Sequence, residues 1–172
     1  FGPAILSRLL ESRGYRVAIL AQPDWKSNYD FTRFGKPRLG FLVSAGNIDS
    51  MVAHYTVAKR KRRDDAYSPG KKSGLRPDRA VTVYSKKIKS IYPDVPVIIG
   101  GIEASLRRFA HYDYWDNKVM PSVLIDSGAD LLSYGMGEHQ TLEIAERLNN
   151  GEYPVTMTDI RGTCYAVPVN EY

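Results

Sequence analysis

Apolar and polar positions follow one another along this chain in a pattern that predicts alternating helices and short strands. Apolar residues recur at helical spacing over 3–12, 49–59, 79–92, 104–109 and 138–149, and 118–126 is a weaker candidate for a helix. Short apolar runs predict strands over 16–20, 39–44, 95–99, 129–134 and 163–167. Glycine or proline separates most of these stretches, as expected at element boundaries.

The order of these elements predicts the fold class. Strands that alternate with helices are typical of an α/β protein whose parallel sheet is covered on both faces. Right-handed crossovers favour a doubly wound, flavodoxin-like three-layer sandwich, or a Rossmann-like relative of it. The helix over 3–12 followed by the strand over 16–20 is half of a β-α-β unit, and the strand that should precede the helix is missing. We therefore expect residues 1–172 to be a single α/β domain from a longer chain.

Glycine-containing turns follow three of the predicted strands. The turns contain Ser44, Gly46 and Asn47, then Gly100, Gly101 and Glu103, and then Gly135, Gly137 and Glu138. In doubly wound folds, ligands lie beyond the carboxyl ends of the strands, and glycine lets a bound group approach the backbone closely. These nine residues are therefore our predicted cofactor-binding crevice. The alternative is that the glycines only pack each strand against the helix that follows it.

Individual polar residues allow a functional and a structural interpretation. Glu103 could bind a ribose or act as a general base, or it could complement a helix dipole. His111 and His139 lie near carboxylates, but without the spacing of a metal site. The aromatic stretch 111–116 could stack on a flat ligand or form a core or interdomain contact. The arginine pair 107–108 could clamp a phosphate. We expect neither a catalytic residue nor a metal ligand in this chain.

Composition narrows the functional classes. The length of 172 residues suits one domain, and no apolar run approaches the roughly 20 residues that cross a bilayer. Much of the formal charge of +5 lies in the basic run at 59–63. That run could be a solvated helix end, a nucleic-acid contact, or a contact with an anionic cofactor or another domain. Residues 67–77 are rich in glycine, proline and lysine, which predicts an exposed, mobile loop. The single cysteine, Cys164, excludes an internal disulfide and indicates a reducing, cytoplasmic compartment.

Four blocks of sequence carry a resemblance to a known family. They cover 1–19, 22–25, 99–116 and 134–139, and the third contains the long run Gly-Gly-Ile-Glu-Ala-Ser that begins at Gly100. On these blocks the chain resembles the N-terminal region of the YgiQ-like family of radical S-adenosylmethionine proteins, over essentially its whole length.

The resemblance implies a flavodoxin-like domain of the cobalamin-binding type, followed by a separate radical domain in the same chain. In such proteins the radical domain holds a [4Fe–4S] cluster on a Cys-x3-Cys-x2-Cys motif and binds S-adenosylmethionine. That motif is not in this sequence, so we expect neither cofactor here. The implied function is an accessory N-terminal domain that shapes the substrate or cofactor side of the cleft.

Two alternatives to the accessory role remain open. One is a cobalamin-binding module, for which the turns at Ser44 and Gly100 would contact the nucleotide tail. The Asp-x-His-x-x-Gly ligand pattern of many such domains is mostly missing, and only Gly2 could belong to its end. The other alternative is a nucleic-acid-binding domain that uses the basic run at 59–63. The expected partner is the downstream domain of the same chain. The substrate is unknown, and we expect no contact with a membrane.

Overall fold

The structure is a computed structural model that describes residues 1–168. Its strands are β1 (Phe41–Val43), β2 (Val97–Ile99), β3 (His111–Asp113), β4 (Lys118–Met120), β5 (Leu131–Ser133) and β6 (Thr163–Cys164). Its α-helices are α1 (Gly2–Glu11), α2 (Tyr29–Thr32), α3 (Ser50–His54), α4 (Ala80–Ile91), α5 (Gly101–Leu106), α6 (Val123–Ser127) and α7 (Glu138–Asn149). Short 3-10 helices span Pro69–Lys71 and Pro154–Thr156.

One mixed sheet organises the fold, with the strand order β1-β2-β5-β6. Strands β1, β2 and β5 are parallel, whereas β6 is antiparallel to β5 with Thr163 opposite Ser133. The predicted α/β class is confirmed, but the expectation of an all-parallel sheet is wrong for β6. The chain returns to the carboxyl end of β5 before β6 begins, since the Tyr134 amide donates to the Gly162 carbonyl at 2.9 Å. Strand β6 therefore runs back in the opposite direction.

Helices cover both faces of this sheet. Val97 and Ile99 pack on one face with buried residues of α4 and α6. Ile98 and Leu131 point to the opposite face, where they pack with Ile144 of α7. The alternation follows from the two-residue period of a strand. Helix α1 packs against α7, so it lies on the second side of the sheet. Helices therefore lie on both sides of the mixed sheet.

The two long helices have the lengths that their periodicity predicts. The buried positions of α4 include Val81, Tyr84, Ser85 and Ile88, which form one stripe that faces the sheet. In α7 the corresponding stripe is centred on Ile144. None of the helices in residues 1–168 is long and apolar enough to cross a membrane.

Several predicted elements differ in the structure. Residues 16–20 form no strand, because no strand of the described part lies beside them to share hydrogen bonds. The predicted helix 49–59 ends at His54, since Tyr55 is already extended with φ −131° and ψ 152°. The predicted helix 118–126 is strand β4 followed by α6, because β4 pairs with β3 in a hairpin.

Smaller differences concern element ends. The helix expected over 104–109 begins earlier and ends earlier, as α5, because the chain turns into it directly at the glycine pair. The strand expected over 163–167 is limited to the two residues of β6. The predicted mobile loop 67–77 contains a 3-10 helix and three buried residues, Ser68, Arg76 and Pro77, so it is folded onto the domain.

Replacing Ile99 tests the central position of β2. Ile99 is fully buried between α4, α6 and its neighbouring strands. We expect Ile99→Ala to lower the free energy of unfolding by about 2–5 kcal/mol, because it removes buried methyl groups and leaves a cavity. Ile125→Ala is the matched control at an exposed position of α6. Urea denaturation followed by circular dichroism measures both, and equal losses for the two variants would contradict this packing.

Candidate functional site

The carboxyl ends of β1, β2 and β5 bring the predicted glycine turns together. A Cβ atom added to Gly101 would lie 3.1 Å from the Cβ of Ser44. A Cβ atom at Gly100 would lie 3.1 Å from the Ser133 carbonyl oxygen, and one at Gly137 would lie 3.7 Å from the Ser133 hydroxyl. The three turns thus share one edge of the sheet, as the topology predicts. We call this edge, formed by 44–47, 100–103 and 134–138, the carboxyl edge.

The close contacts give Gly100 and Gly101 a packing role. Gly101 has φ +77°, which a side chain would strain, and Ser44 occupies the space that its side chain would need. Gly46 and Gly135, in contrast, have no neighbouring atom within 4 Å of a Cβ position. Open space at the carboxyl edge is therefore found beside Gly46 and Gly135. Cofactor binding by the nine predicted residues stays a prediction.

Glu103 has a structural task at this edge. Its side chain is 2% exposed, and its two carboxylate oxygens accept the Ser50 amide at 2.8 Å and the Val81 amide at 2.9 Å. These amides belong to the first turns of α3 and α4, which otherwise lack acceptors. The carboxylate therefore complements two helix dipoles at once. With both oxygens engaged, the geometry favours the structural interpretation of Glu103 over the ribose or base hypothesis.

Arg107 is engaged by a second buried carboxylate. Asp49 caps α3 by accepting the Met51 and Val52 amides, and Arg107 donates a hydrogen bond to the same side chain. Burial disfavours the charged form of Arg107, but the hydrogen bond that it donates to Asp49, together with the negative charges of Asp49, Glu103 and Asp113, outweighs burial and raises the pKa of the guanidinium. Arg108 lies over the rings of Phe109 and Tyr134. To bind a phosphate as predicted, Arg107 and Arg108 would have to give up these contacts.

The remaining predicted edge residues are accessible or half-buried. The Asn47 side-chain oxygen accepts a hydrogen bond from the backbone nitrogen of Phe1 at 3.2 Å. Glu138 is half-buried in the first turn of α7. His111 lies in β3 and His139 on the exposed side of α7, so the two are not brought into one cluster with a third ligand. Among residues 1–168, no group of three or more His, Cys, Asp and Glu could hold a metal ion.

The aromatic stretch 111–116 packs against the loop that follows α3, while Tyr112 and Tyr114 stay 59% and 57% exposed. The rings of Trp115 and Tyr55 have centroids 4.1 Å apart. Lys59 donates to the Trp115 carbonyl at 2.8 Å, and its ammonium lies over the ring of Tyr114. The hairpin is therefore held against the loop that follows α3. This is the structural interpretation of the stretch, with part of its aromatic surface still exposed.

The basic run at 59–63 does not end a helix. Helix α3 ends at His54, and the run belongs to an irregular loop in which Tyr55 bridges Lys61. Arg62 donates to the carbonyls of Val52 and Tyr55 at 3.2 Å each. The helix-end interpretation is therefore wrong, and two of the basic residues, Lys59 and Arg62, are used to hold the loop. The nucleic-acid alternative stays untested.

A cavity of about 300 Å³ that the sequence does not reveal lies beside this loop. Its lining includes Trp25 and the buried His54, whose Nδ1 lies 2.7 Å from Asp78. Tyr55 donates to the same carboxylate at 2.6 Å, which raises the pKa of its hydroxyl to about 12. No local sequence pattern indicates this position, because His54 and Asp78 lie 24 residues apart in the chain.

The charges of the cavity balance one another. Lys61 and Arg62 contribute two cations to the lining, and Asp64 and Asp78 contribute two carboxylates. Nε2 of His54 has no hydrogen-bond partner among the described residues and lies 3.8 Å from a carboxylate oxygen of Asp65. The lining therefore selects no ligand by net charge.

A buried ion pair closes the inner wall of the cavity. Arg76 donates to both oxygens of Asp65 at 2.9 Å and to the Ala45 carbonyl at 3.2 Å, so it ties the long loop to the carboxyl end of β1. Burial alone would raise the pKa of Asp65, but hydrogen bonds from Ser68, the Tyr67 amide and Arg76 lower it overall. The loop is fixed in place by this pair.

An exposed apolar patch adjoins the carboxyl edge. Ile102, Leu106, Phe109 and Met136 are 49%, 65%, 64% and 84% exposed. Ile102 and Leu106 lie one turn apart on α5, and Met136 lies in the turn after the neighbouring strand β5. Arg108 lies over the rings of both Phe109 and Tyr134, so it connects the segment that follows α5 with the turn that follows β5. We call these four residues the edge patch.

Comparison with known proteins decides the family. The model of the Radical SAM N-terminal family matches residues 1–171. The chain belongs to this family. The resemblance to the N-terminal region of radical S-adenosylmethionine proteins is thus confirmed. No solved structure matches the chain, and the flavodoxin-like arrangement stays a prediction.

Curated relatives are longer proteins with uninformative names. A UPF0313 protein of Clostridium perfringens (strain SM101 / Type A) is 61% identical over 165 residues, which are 96% of this chain and 25% of the relative. A UPF0313 protein of Clostridium botulinum (strain 657 / Type Ba4) is 59% identical and is covered to 26%. The chain therefore spans about a quarter of the length of the relatives that it matches.

The residues of this chain do not fit the iron–sulfur cluster that the family implies. A [4Fe–4S] cluster is held by several thiolates, and the sequence contains one cysteine. Cys164 lies in β6 against the core around β5, and burial raises the pKa of its thiol despite the charge of Arg108. Its protonated form is favoured, which makes it a packing residue.

Exchanging Glu103 for glutamine separates its structural task from a catalytic one. We expect Glu103→Gln to lower the free energy of unfolding by about 1–3 kcal/mol, because an amide group would face a buried backbone donor. Thermal and urea denaturation measure this loss. Glu146→Gln, at an exposed position of α7, is the matched control. Full stability in Glu103→Gln would contradict the structural task.

The Asp65–Arg76 pair predicts a pH-dependent contribution to stability. At pH 7 we expect Arg76→Met to cost about 3–5 kcal/mol, because it leaves the buried Asp65 carboxylate without its partner. The pKa of Asp65 is lowered in the folded protein, so the pair stabilises above the unfolded pKa of about 4 and loses its effect as pH falls.

The measurement is urea denaturation of both proteins between pH 7 and pH 3. The difference between wild type and Arg76→Met should narrow as the pH approaches 3. Arg8→Met removes an exposed pair with Glu11 and should change stability little at any pH. A difference that stays constant over this range would show that Asp65 does not carry the effect.

Proposed function

We propose that this chain is the accessory N-terminal domain of a radical S-adenosylmethionine enzyme. The cluster and S-adenosylmethionine would be held outside this chain, because its single cysteine cannot ligate a cluster. The domain would contribute one wall of the cleft and would perform no radical chemistry itself. Family membership and the length of the relatives support this role.

The observation that carries the proposal is the position of the edge patch. Contiguous exposed apolar side chains are typical of surfaces that bind another protein or domain. These four residues lie beside the carboxyl edge, where ligands of open α/β sheets are bound. A domain that covered the patch would also face Ser44, Gly46 and Asn47. Substrate or cofactor would then lie between the two domains.

The carboxyl edge is rigid enough for such a wall. Glu103 holds the starts of α3 and α4, Asp49 holds Arg107, and Arg76 holds the loop that follows α3. If the wall is already fixed before the substrate binds, it can position the substrate at little entropic cost. The proposed task of the domain is therefore positioning and shielding of the reaction.

The occupant of the edge patch is the remaining part of the same polypeptide. About three quarters of each relative lies outside the region that this chain matches. A domain of the same chain is always present at high effective concentration, so a modest apolar contact suffices for docking. Cytoplasmic location of the whole enzyme is part of the same proposal.

Charged substitutions in the edge patch test the role in the full-length protein. We expect the double variant Ile102→Lys, Leu106→Lys to reduce the rate of S-adenosylmethionine cleavage by about tenfold or more, because the wall is displaced. Formation of 5′-deoxyadenosine is the readout, and cluster content should stay unchanged. Val155→Lys is the control, since Val155 is more exposed than either residue but lies after the far end of α7. Unchanged cleavage in the double variant would contradict the proposal.

The full-length protein also allows a test that distinguishes the accessory role from the cobalamin-binding alternative. A titration with hydroxocobalamin should leave its absorption spectrum unchanged if the carboxyl edge only forms a wall. A saturable spectral change that Gly46→Val abolishes would instead favour a cobalamin-binding module.

A further inference from the structure

The basic run at 59–63 carries charge that the domain does not neutralise. None of its five side chains lies within 4.0 Å of a carboxylate oxygen in residues 1–168. Arg76, Arg79 and Arg107, in contrast, each pair with a carboxylate. A cluster of like charges repels itself and attracts an anionic partner.

Two further cations extend this charge. The backbone of Asp64 pairs with that of Lys72 in an isolated antiparallel bridge, and the Asp65 amide donates to the Lys71 carbonyl at 2.9 Å. Lys71 and Lys72 are exposed, whereas Asp65 is buried. The stretch 59–72 therefore presents the basic run and these two lysines to solvent against one exposed carboxylate, that of Asp64.

The carboxylates of the adjoining segments are engaged by other groups. Asp113 and Asp116 both accept hydrogen bonds from Arg79, at 3.1 Å and 2.9 Å. Asp78 accepts the Tyr55 hydroxyl at 2.6 Å. These side chains would have to give up their present bonds in order to neutralise the basic run.

An exposed face of the β3–β4 hairpin lies beside the run. The Tyr114 hydroxyl donates to the Val57 carbonyl at 3.0 Å, and the Lys59 ammonium lies 4.8 Å from the centre of the Tyr114 ring. Tyr112 is directly opposite Val119 in the hairpin, so their side chains lie on the same face. Both tyrosines and Val119 are more than half exposed. Unpaired cations and accessible aromatic rings therefore adjoin one another.

Single-stranded nucleic acid has the chemistry that fits this combination. Its phosphates are anions that lysine and arginine neutralise, and its unpaired bases stack on exposed aromatic rings. A duplex offers the same phosphates but keeps its bases stacked on one another. An acidic protein surface offers negative charge without bases.

We propose that the stretch 59–72 and the exposed face of the β3–β4 hairpin bind single-stranded nucleic acid. Arg60 and Arg63 contact phosphates, and the ring of Tyr112 stacks on a base. This surface does not include the carboxyl edge or the edge patch. Its binding is measured without any radical reaction, so it stands or falls independently of the proposed accessory role.

Binding of labelled oligonucleotides by the full-length protein tests the proposal. The probes are a fluorescein-labelled single strand of about 16 nucleotides, as RNA and as DNA, and the blunt duplex of the same sequence. Fluorescence anisotropy at low salt should show micromolar or tighter binding of at least one single strand, and about fivefold weaker binding of the duplex. The RNA and DNA arms identify the preferred sugar. Equal affinity for the duplex would overturn the proposal.

Removal of two exposed cations tests the phosphate contacts. We expect Arg60→Gln, Arg63→Gln to weaken single-strand binding and to reduce the slope of log affinity against log salt by about 1.4, because each phosphate contact contributes about 0.7. Arg13→Gln, Arg16→Gln is the charge-matched control at two exposed positions that follow α1. Equal slopes in the two double variants would overturn the proposal.

Replacement of Tyr112 tests the base contact. We expect Tyr112→Ala to weaken single-strand binding about fivefold or more, because it removes a stacking platform. Tyr112→Phe keeps the ring and loses only the hydroxyl, which bonds to Asn117, so it should bind like the wild type. Tyr153→Ala is the control at an exposed tyrosine after α7. Unchanged affinity in Tyr112→Ala would overturn the proposal.

An acidic surface of the remaining polypeptide is the competing partner for the run. In that case neither single strand would bind at low salt, and Arg60→Gln, Arg63→Gln would lower the melting temperature of the full-length protein more than its control does. This result would overturn the proposal.

Discussion

The buried carboxylate of Glu103 is the interaction on which the carboxyl edge depends. From its place in the first turn of α5, it accepts the Ser50 amide at the start of α3 and the Val81 amide in the first turn of α4. The Ser50 hydroxyl in turn accepts the Ala80 amide at 3.1 Å. Three helix starts are thereby held at one point. Without this acceptor, buried amide groups would stay unsatisfied, which is among the more costly defects in a protein interior. The positions of the glycine turns follow from it.

The apolar residues of the edge patch lie on a backbone that is held in place by polar contacts. The long loop after α3 is fixed to β1 by Arg76 and Asp65, and the β3–β4 hairpin is fixed to that loop through Trp115 and Lys59. Covering the edge patch with the rest of the polypeptide would remove apolar surface from water without reorganising the domain. This is the physical basis for the proposed role of a positioning wall.

The sequence predicts regular periodic elements well and long-range polar contacts poorly. Helix α7 has the predicted limits, because its apolar stripe is set by local spacing. The end of α3 could not be predicted from local spacing, since Tyr55 leaves the helix and donates a hydrogen bond to Asp78, 23 residues away. The cavity beside His54 depends on such distant pairs. The glycine turns were predicted to converge and do so, but the sequence could not show that Ser44 and Ser133 fill the space beside two of the glycines.

Oxidation of Met136 in the full-length protein tests the central claim most directly. Met136 is the most exposed member of the edge patch. Limited hydrogen peroxide treatment followed by mass spectrometry would measure its rate of sulfoxide formation, with the urea-unfolded protein as the reference. The wall model predicts that Met136 in the folded full-length protein is oxidised much more slowly than in the reference. A rate equal to that of the unfolded protein would mean that the patch faces solvent, and it would contradict the proposed docking of the catalytic part of the polypeptide on this edge.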